Sequence, residues 1–209
     1  SYPIHPYGFI IAGASLRHLP SMDDGIFNPD LYLERLERSI IESVPAPVAV
    51  IVSFPSNPTA QVVSLEFYEE VVKIALKYNV YILSDLAYAE IYYDNSPPPS
   101  ILQIPKAKEV AVEFTSMSKT YAMAGWRIGF AVGNTRLINA LTRIKSYLDY
   151  GAFTPVQVAA AAALNGPQDC VQEIRSTYQK RRDVLINSMA RAGWKIPSPK
   201  ASMFAWAPI

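Results

Sequence analysis

Residues 48–54, Val-Ala-Val-Ile-Val-Ser-Phe, form an almost unbroken β-branched run. A short apolar run without polar alternation predicts a strand buried on both faces, the kind that parallel sheets contain. The segments around it carry a different period. From Leu31 to Ser43, Leu33, Leu36, Ile40 and Ile41 share one helical face, with Asn28 placed to cap and Pro29 suited to the first turn. Ser64 is placed to cap a second helix reaching about Tyr78, with Phe67, Val71, Ile74 and Ala75 on one stripe. Further short apolar strands are expected at Val80–Ser84, Val110–Thr115 and Ile128–Val132. Helices are expected at Arg136–Tyr147 and Pro155–Asn165, and a longer one at Asp169–Ala192, ended by Gly193. Strand, helix and strand in alternation predict an α/β fold around a mainly parallel sheet.

In such a sheet the residues just after each strand matter most, because open α/β sheets bind ligands at the carboxyl ends of their strands. Asn57, Asp85 and Ser116 each come directly after a predicted strand. The last opens the run Ser116-Met117-Ser118-Lys119, after which Gly125-Trp126-Arg127-Ile128-Gly129 returns an arginine in a small-residue turn. A lysine amine can bond covalently to an aldehyde, and hydroxyls with a guanidinium fork suit phosphate oxygens. Together they fit a phosphorylated aldehyde cofactor. Read singly, each residue has a plainer meaning. Asp85 can be a cap or loop aspartate, Tyr88 one packing tyrosine among 13, and Asn57-Pro58 a turn with no ligand. Trp126, Tyr121 and Phe130 read most simply as core, and Cys170 as a buried or half-buried thiol.

Composition removes other classes. The chain has 209 residues, is 50% hydrophobic and carries a formal charge of +1, which offers no electrostatic case for nucleic acid or an anionic membrane. No apolar run reaches the roughly 18 residues of a membrane span, and one cysteine excludes an internal disulfide framework and suits a reducing cytoplasm.

Four ordered segments carry a family resemblance: Ser1-Tyr2-Pro3-Ile4-His5, Ser56-Asn57-Pro58-Thr59, Asp85-Leu86-Ala87-Tyr88, and the Ser116-to-Gly129 stretch. The chain resembles the class I/II pyridoxal-phosphate-dependent aminotransferases of fold type I from Tyr2 to the Ser202–Trp206 segment. Phe54–Gln61 and Asp149–Pro155 resemble the subgroup of bacterial glutamate–pyruvate (alanine) and LL-diaminopimelate aminotransferases. The resemblance implies a three-layer α/β/α large domain over residues 1–168, incomplete at its N-terminal side, and a linker helix with the start of a smaller α+β domain over 169–209. A strand of that small domain is expected at Ala201–Pro208.

It also implies roles. Lys119 would form the Schiff base with pyridoxal 5'-phosphate and act as proton carrier. Asp85 would hold the pyridine nitrogen, with His5 behind it. Asn57 and Tyr88 would bind the ring's phenolic oxygen, and Tyr2 would stack on the ring. Ser116, Ser118 and Arg127 would hold the phosphate. Tyr2 and His5 can equally be plain terminal loop residues. The family usually has glycine where Ala60 stands, which suggests that this turn needs no positive φ here.

The implied activity is ping-pong transamination between an amino acid, alanine by subgroup likeness, and 2-oxoglutarate, in a cytoplasmic homodimer. Family chains are about twice as long, so this one is expected to be a fragment, weak or inactive alone. Its glycine/serine phosphate loop would precede Tyr2, and the arginine that clamps the substrate carboxylate would lie beyond Ile209. Two alternatives use the same fold: a pyridoxal-phosphate C–S lyase and a non-catalytic cofactor-binding regulator.

Overall fold

A computed structural model of the protein describes residues 2–23 and 25–207. Helix α1 (Ile4–Ile11) leads into the short antiparallel pair β1 (Met22–Asp23) and β2 (Ile26–Phe27). The alternation then runs α2 (Pro29–Glu42), β3 (Ala49–Ser53), α3 (Leu65–Tyr78) and β4 (Tyr81–Asp85). A 3₁₀ turn at Ile101–Gln103 and the short α4 (Ala107–Val110) precede β5 (Ala111–Ser116). After it come α5 (Met117–Thr120), a second 3₁₀ turn at Ala124–Trp126, and β6 (Gly129–Gly133). Three helices finish the described chain: α6 (Thr135–Leu148), α7 (Thr154–Asn165) and α8 (Asp169–Arg191).

Local chemistry sets the helix ends. Asn28 accepts a hydrogen bond from the Leu31 amide, Ser64 from that of Phe67 and Asn134 from that of Leu137, so each start has an orphan donor satisfied. The α3 helix ends on Asn79 in the left-handed region, and Gly193 beyond α8 also has positive φ.

The main sheet has the order β3-β4-β5-β6, with the first three strands parallel and β6 antiparallel to β5. The large core lies on one face, where Val50, Val52 and Ile82 meet Tyr32 and Leu36 of α2 and Phe67, Tyr68 and Val71 of α3. Phe27, Phe54 and Phe67 extend it as a cluster of aromatic edges and faces, with ring centroids 5.1–5.9 Å apart. A second, smaller cluster joins Met117 and Met123 to Ala160 of α7.

Several expectations give way here. The 48–54 run is not buried on both faces: Val50 and Val52 are buried, Ala49, Ile51 and Ser53 half-buried, and Val48 exposed. The helices that build the large core lie on one side, so burial follows the strand's period of two. Trp126 is 51% and Phe130 38% exposed, so neither is core, and Tyr121 is half-buried. Cys170 is exposed on α8. Ala60 does have positive φ, 54°, despite its side chain. The Ala201–Pro208 segment makes only an isolated bridge, Ala201 to Tyr92, among the described residues, and both Pro208 and Ser1 lie outside them. Where a strand needs a partner, an apolar run is not sufficient.

Candidate active site

Parallel strands β3, β4 and β5 end on the same side, and each delivers polar groups there. Asp85 is the last residue of β4, paired in register with Ser53 and Phe114. Ser116 is the last residue of β5, and Asn57 lies one turn beyond β3. Because β6 runs the other way, it starts where β5 ends. Ser116 pairs with Gly129, and the Met117 amide donates to the Ile128 carbonyl at 3.2 Å, which brings Arg127 to the same end of the sheet. The approach is close: a Cβ on Gly129 would lie 2.6 Å from the Thr115 carbonyl oxygen, so a residue without one is required.

Asp85 is held on both carboxylate oxygens. His5 Nε2 lies 2.8 Å from Oδ2, and the Ala87 amide donates to Oδ1 at 3.0 Å. His5, which the resemblance puts behind Asp85 and the plainer reading puts in a terminal loop, stands in the first turn of α1, where its side chain is 11% exposed and its Nδ1 is buried without a partner among the described residues. Tyr2 is 46% exposed and meets His5 edge-on, with centroids 5.9 Å apart. Asn57 Nδ2 donates to Tyr88 Oη at 3.5 Å, the outer limit of a hydrogen bond. Burial, and next the Asp85 carboxylate, push the Tyr88 phenol above its usual range, with the Asn57 bond opposing. Tyr88 therefore keeps its proton at neutral pH and can donate it.

At the β5 end, Ser116 Oγ accepts from the Ser118 amide at 3.2 Å, leaving its own hydroxyl proton free to donate. Ser118 is buried at 7% exposure. Arg127 is exposed and held in the left-handed region at φ 53°, with Nη1 donating to the Ala124 carbonyl. Its Nε and Nη2 make no hydrogen bond among the described residues, and no side-chain bond joins it to Ser116 or Ser118. Lys119, half-buried on α5, likewise has no hydrogen bond or ion pair among them. The structure thus links Asp85 with His5 and Asn57 with Tyr88 directly, and aligns Ser116, Ser118, Lys119 and Arg127 through backbone pairing.

The donor set fits pyridoxal phosphate group by group. A fixed carboxylate suits a protonated ring nitrogen, and an amide with a phenol suits an anionic ring oxygen. An unpartnered amine suits the aldehyde, and two serines with an unengaged guanidinium edge suit the phosphate. Among the described residues, no group of three or more His, Cys, Asp or Glu side chains could hold a metal ion.

A family model for aminotransferase class I and II matches residues 1–209. The chain belongs to this family. The cofactor that membership implies is pyridoxal 5'-phosphate. Glutamate-pyruvate aminotransferase AlaC of Escherichia coli (strain K12) is 56% identical over all of this chain and 50% of its own length. The LL-diaminopimelate aminotransferase of Moorella thermoacetica is 42% identical, again over the whole chain and 52% of the relative. Substrate-bound BacF from Bacillus subtilis is a solved structure with TM-score 0.86 and 30% identity, covering 100% of this chain and 52% of that one. The chain spans about half the length of the curated relatives it matches. No described helix is long and apolar enough to cross a membrane.

Sequence reasoning missed two arrangements near this site. One is the buried carboxylate of Glu113 in β5, which binds Ser84, Ser100 and the Ile101 amide. A lone acidic residue in an apolar run was its signal. The other is the edge contact of Phe204 on Tyr88, which joins residues 116 positions apart and leaves no local signal.

Proposed function

We propose that this chain carries the cofactor-binding half of a pyridoxal-phosphate-dependent transaminase exchanging an amino group between alanine and 2-oxoglutarate. The observation that carries the reading is the convergence of Lys119, the Asp85–His5 pair, the Asn57–Tyr88 pair and the Ser116/Ser118/Arg127 set at one end of the sheet. Alanine as donor rests on the likeness to AlaC alone.

When bound, the cofactor would supply an electron-poor ring that takes up the charge released at a substrate Cα. The chain's own groups do the rest. Asp85, fixed by His5 and the Ala87 amide, holds the ring nitrogen's proton in place. Tyr88 and Asn57 donate to the ring oxygen, and Tyr2 covers a ring face and excludes water. Ser116, Ser118 and Arg127 anchor the phosphate. Lys119 Nζ, once free, removes the Cα proton and later returns one, as general base and then acid. Release of one 2-oxo acid before the second enters makes the cycle ping-pong. Residues 1–168 act as the large domain and 169–209 as a linker helix and the opening of a small one, in a cytoplasmic homodimer. Spanning about half the length of those relatives, the 209-residue chain alone should turn over weakly or not at all.

An absorbance titration with pyridoxal phosphate tests the reading, with Lys119→Ala alongside. The expected result is a new band in the parent that is absent in the variant and shifts on adding alanine. No band in the parent, or an equal band in the variant, removes Lys119 from its role.

A further inference from the structure

Tyr88 does not stand on a regular element. It lies in the loop after β4, where the Ile91 amide donates back to the Tyr88 carbonyl and the Ala89 amide to that of Leu86. The groups that fix this loop come from elsewhere in the chain. Two arginines of α8, at 175 and 182, grip it two helical turns apart. Arg175 donates from Nη2 to Glu90 Oε2 at 2.6 Å and from Nε to the Glu90 carbonyl, and its guanidinium lies 3.8 Å from the Tyr92 ring centroid. Arg182 takes both oxygens of Asp94, at 2.7 and 3.0 Å, and its guanidinium lies 4.6 Å from the Tyr93 ring centroid. Its Nη1 also reaches the Pro199 carbonyl at 3.4 Å, and Nε reaches Asp183.

The Arg182 side chain is 9% exposed and lies against the Tyr93 ring, so its position is fixed by packing as well as by the pair with Asp94, whose carboxylate is 63% exposed. A two-pronged guanidinium grip with a stacked ring fixes position and orientation together.

Arg182 also sits where a third segment joins. The Tyr93 amide donates to the Lys200 carbonyl, the Ser202 amide to that of Ile91, and Tyr93 Oη to the Ser202 carbonyl. These bonds strap residues 199–204 along the loop, with Ser202 fully buried in the left-handed region at φ 68°. The strap ends with Phe204 edge-on to Tyr88, centroids 5.7 Å apart and planes at 75°. One chain of contacts therefore runs from Arg182 through Asp94 and Tyr93 to the strap, and from the strap through Phe204 to the Tyr88 ring.

We propose that Arg182 is a positioning residue for Tyr88: by clamping Asp94, Tyr93 and the 199–204 strap it seats Phe204 against Tyr88 and so sets where the phenol hydroxyl meets the cofactor's ring oxygen. This rests on the assignment of the strand-end groups to pyridoxal phosphate. A side chain that only fastened α8 to the loop would affect folding but not the Tyr88 hydroxyl specifically. That difference makes the two roles separable.

The test is a double-mutant cycle read by the dissociation constant for pyridoxal phosphate, using Arg182→Leu, Tyr88→Phe and the pair. Amide hydrogen exchange over residues 86–94 and 199–204, measured without cofactor, accompanies it. Loss of one hydrogen bond to an anionic oxygen weakens binding about tenfold. The expected result is a loss of that order in Arg182→Leu, and less than about a further twofold in the Tyr88→Phe background, because the hydroxyl it serves is already gone. Exchange in both segments should quicken while the β4 core stays protected.

Asp94→Asn, at an exposed carboxylate, repeats the cycle without touching α8 and should give the same non-additive pattern, smaller in size. Equal losses in both backgrounds would overturn the proposal, as would unchanged exchange in the two segments. A parent that binds no pyridoxal phosphate, with exchange still quickened by Arg182→Leu, would overturn the cofactor reading instead and take the proposal's purpose with it.

Discussion

Removing the carboxylate of Glu113 should cost more than removing its charge. Glu113 is 4% exposed in the centre of β5, three residues before Ser116. One oxygen accepts from Ser84 Oγ at 3.1 Å and from the Ile101 amide at 3.1 Å; the other accepts from Ser100 Oγ at 2.6 Å. It thereby ties β4 to β5 and pins the 3₁₀ turn between them. Glu113→Ala strands three donors, two of them on fully buried residues, Ser84 and Ile101. Bonds to a charged acceptor are worth about 1.5–3 kcal/mol each, offset in part because a buried carboxylate no longer needs to be desolvated.

The net expectation for Glu113→Ala is a loss of about 3–5 kcal/mol. In Glu113→Gln the amide oxygen can keep Ser84 and Ile101, while the new NH₂ faces Ser100, whose hydroxyl oxygen can accept. That variant should lose about 1–2 kcal/mol. Urea unfolding followed by far-ultraviolet circular dichroism, with a common slope across the three proteins, measures the difference. If Ala costs no more than Gln, the three bonds are not what holds this carboxylate, and the reasoning fails.

Three further outcomes are expected. Gly129→Ala should destabilise by about 2–4 kcal/mol in the same assay, since its Cβ would press on the Thr115 carbonyl from 2.6 Å and β6 must move; a neutral result would mean that the β5–β6 spacing is slack. Ala60→Gly should stabilise by about 0.5–1 kcal/mol, read as a rise in Tm, because Ala60 is held at φ 54° where glycine meets no Cβ penalty. Burial pushes the Tyr93 phenol up to about 12 from 10, so the unfolded chain loses this proton first. Its contribution is then fully present below pH 10 and eroded as pH rises towards 12, and the parent should lose stability relative to Tyr93→Phe across that window.

The elements were legible because their signals are local. Asn28 and Ser64 cap the helices they were expected to cap, and the apolar stripe of α3 faces the core, as does that of α2 except for Ile41, which is exposed. The strand-end placement of Asn57, Asp85 and Ser116 came from the same pattern. The features that could not be read depended on distant packing. The half-exposed face of β3, the exposure of Trp126, Phe130 and Cys170, and the lack of a strand after Ala201 among the described residues are all set by the groups that lie across from them. Ala60 misled for another reason: an alanine can occupy the left-handed region when the turn around it, closed by its amide on the Ser56 carbonyl, over-determines φ.

The reversal of β6 divides the site by how far the chain must travel to build it. Lys119 and Arg127 are joined by a short excursion that closes on the next strand, so bringing them together costs little loop entropy. Asp85 and Asn57 reach the same corner only after full crossovers have docked on the sheet. On refolding, the Lys119–Arg127 corner is therefore the part that can form early from nearby sequence, while the Asp85–Asn57 corner waits for long-range pairing.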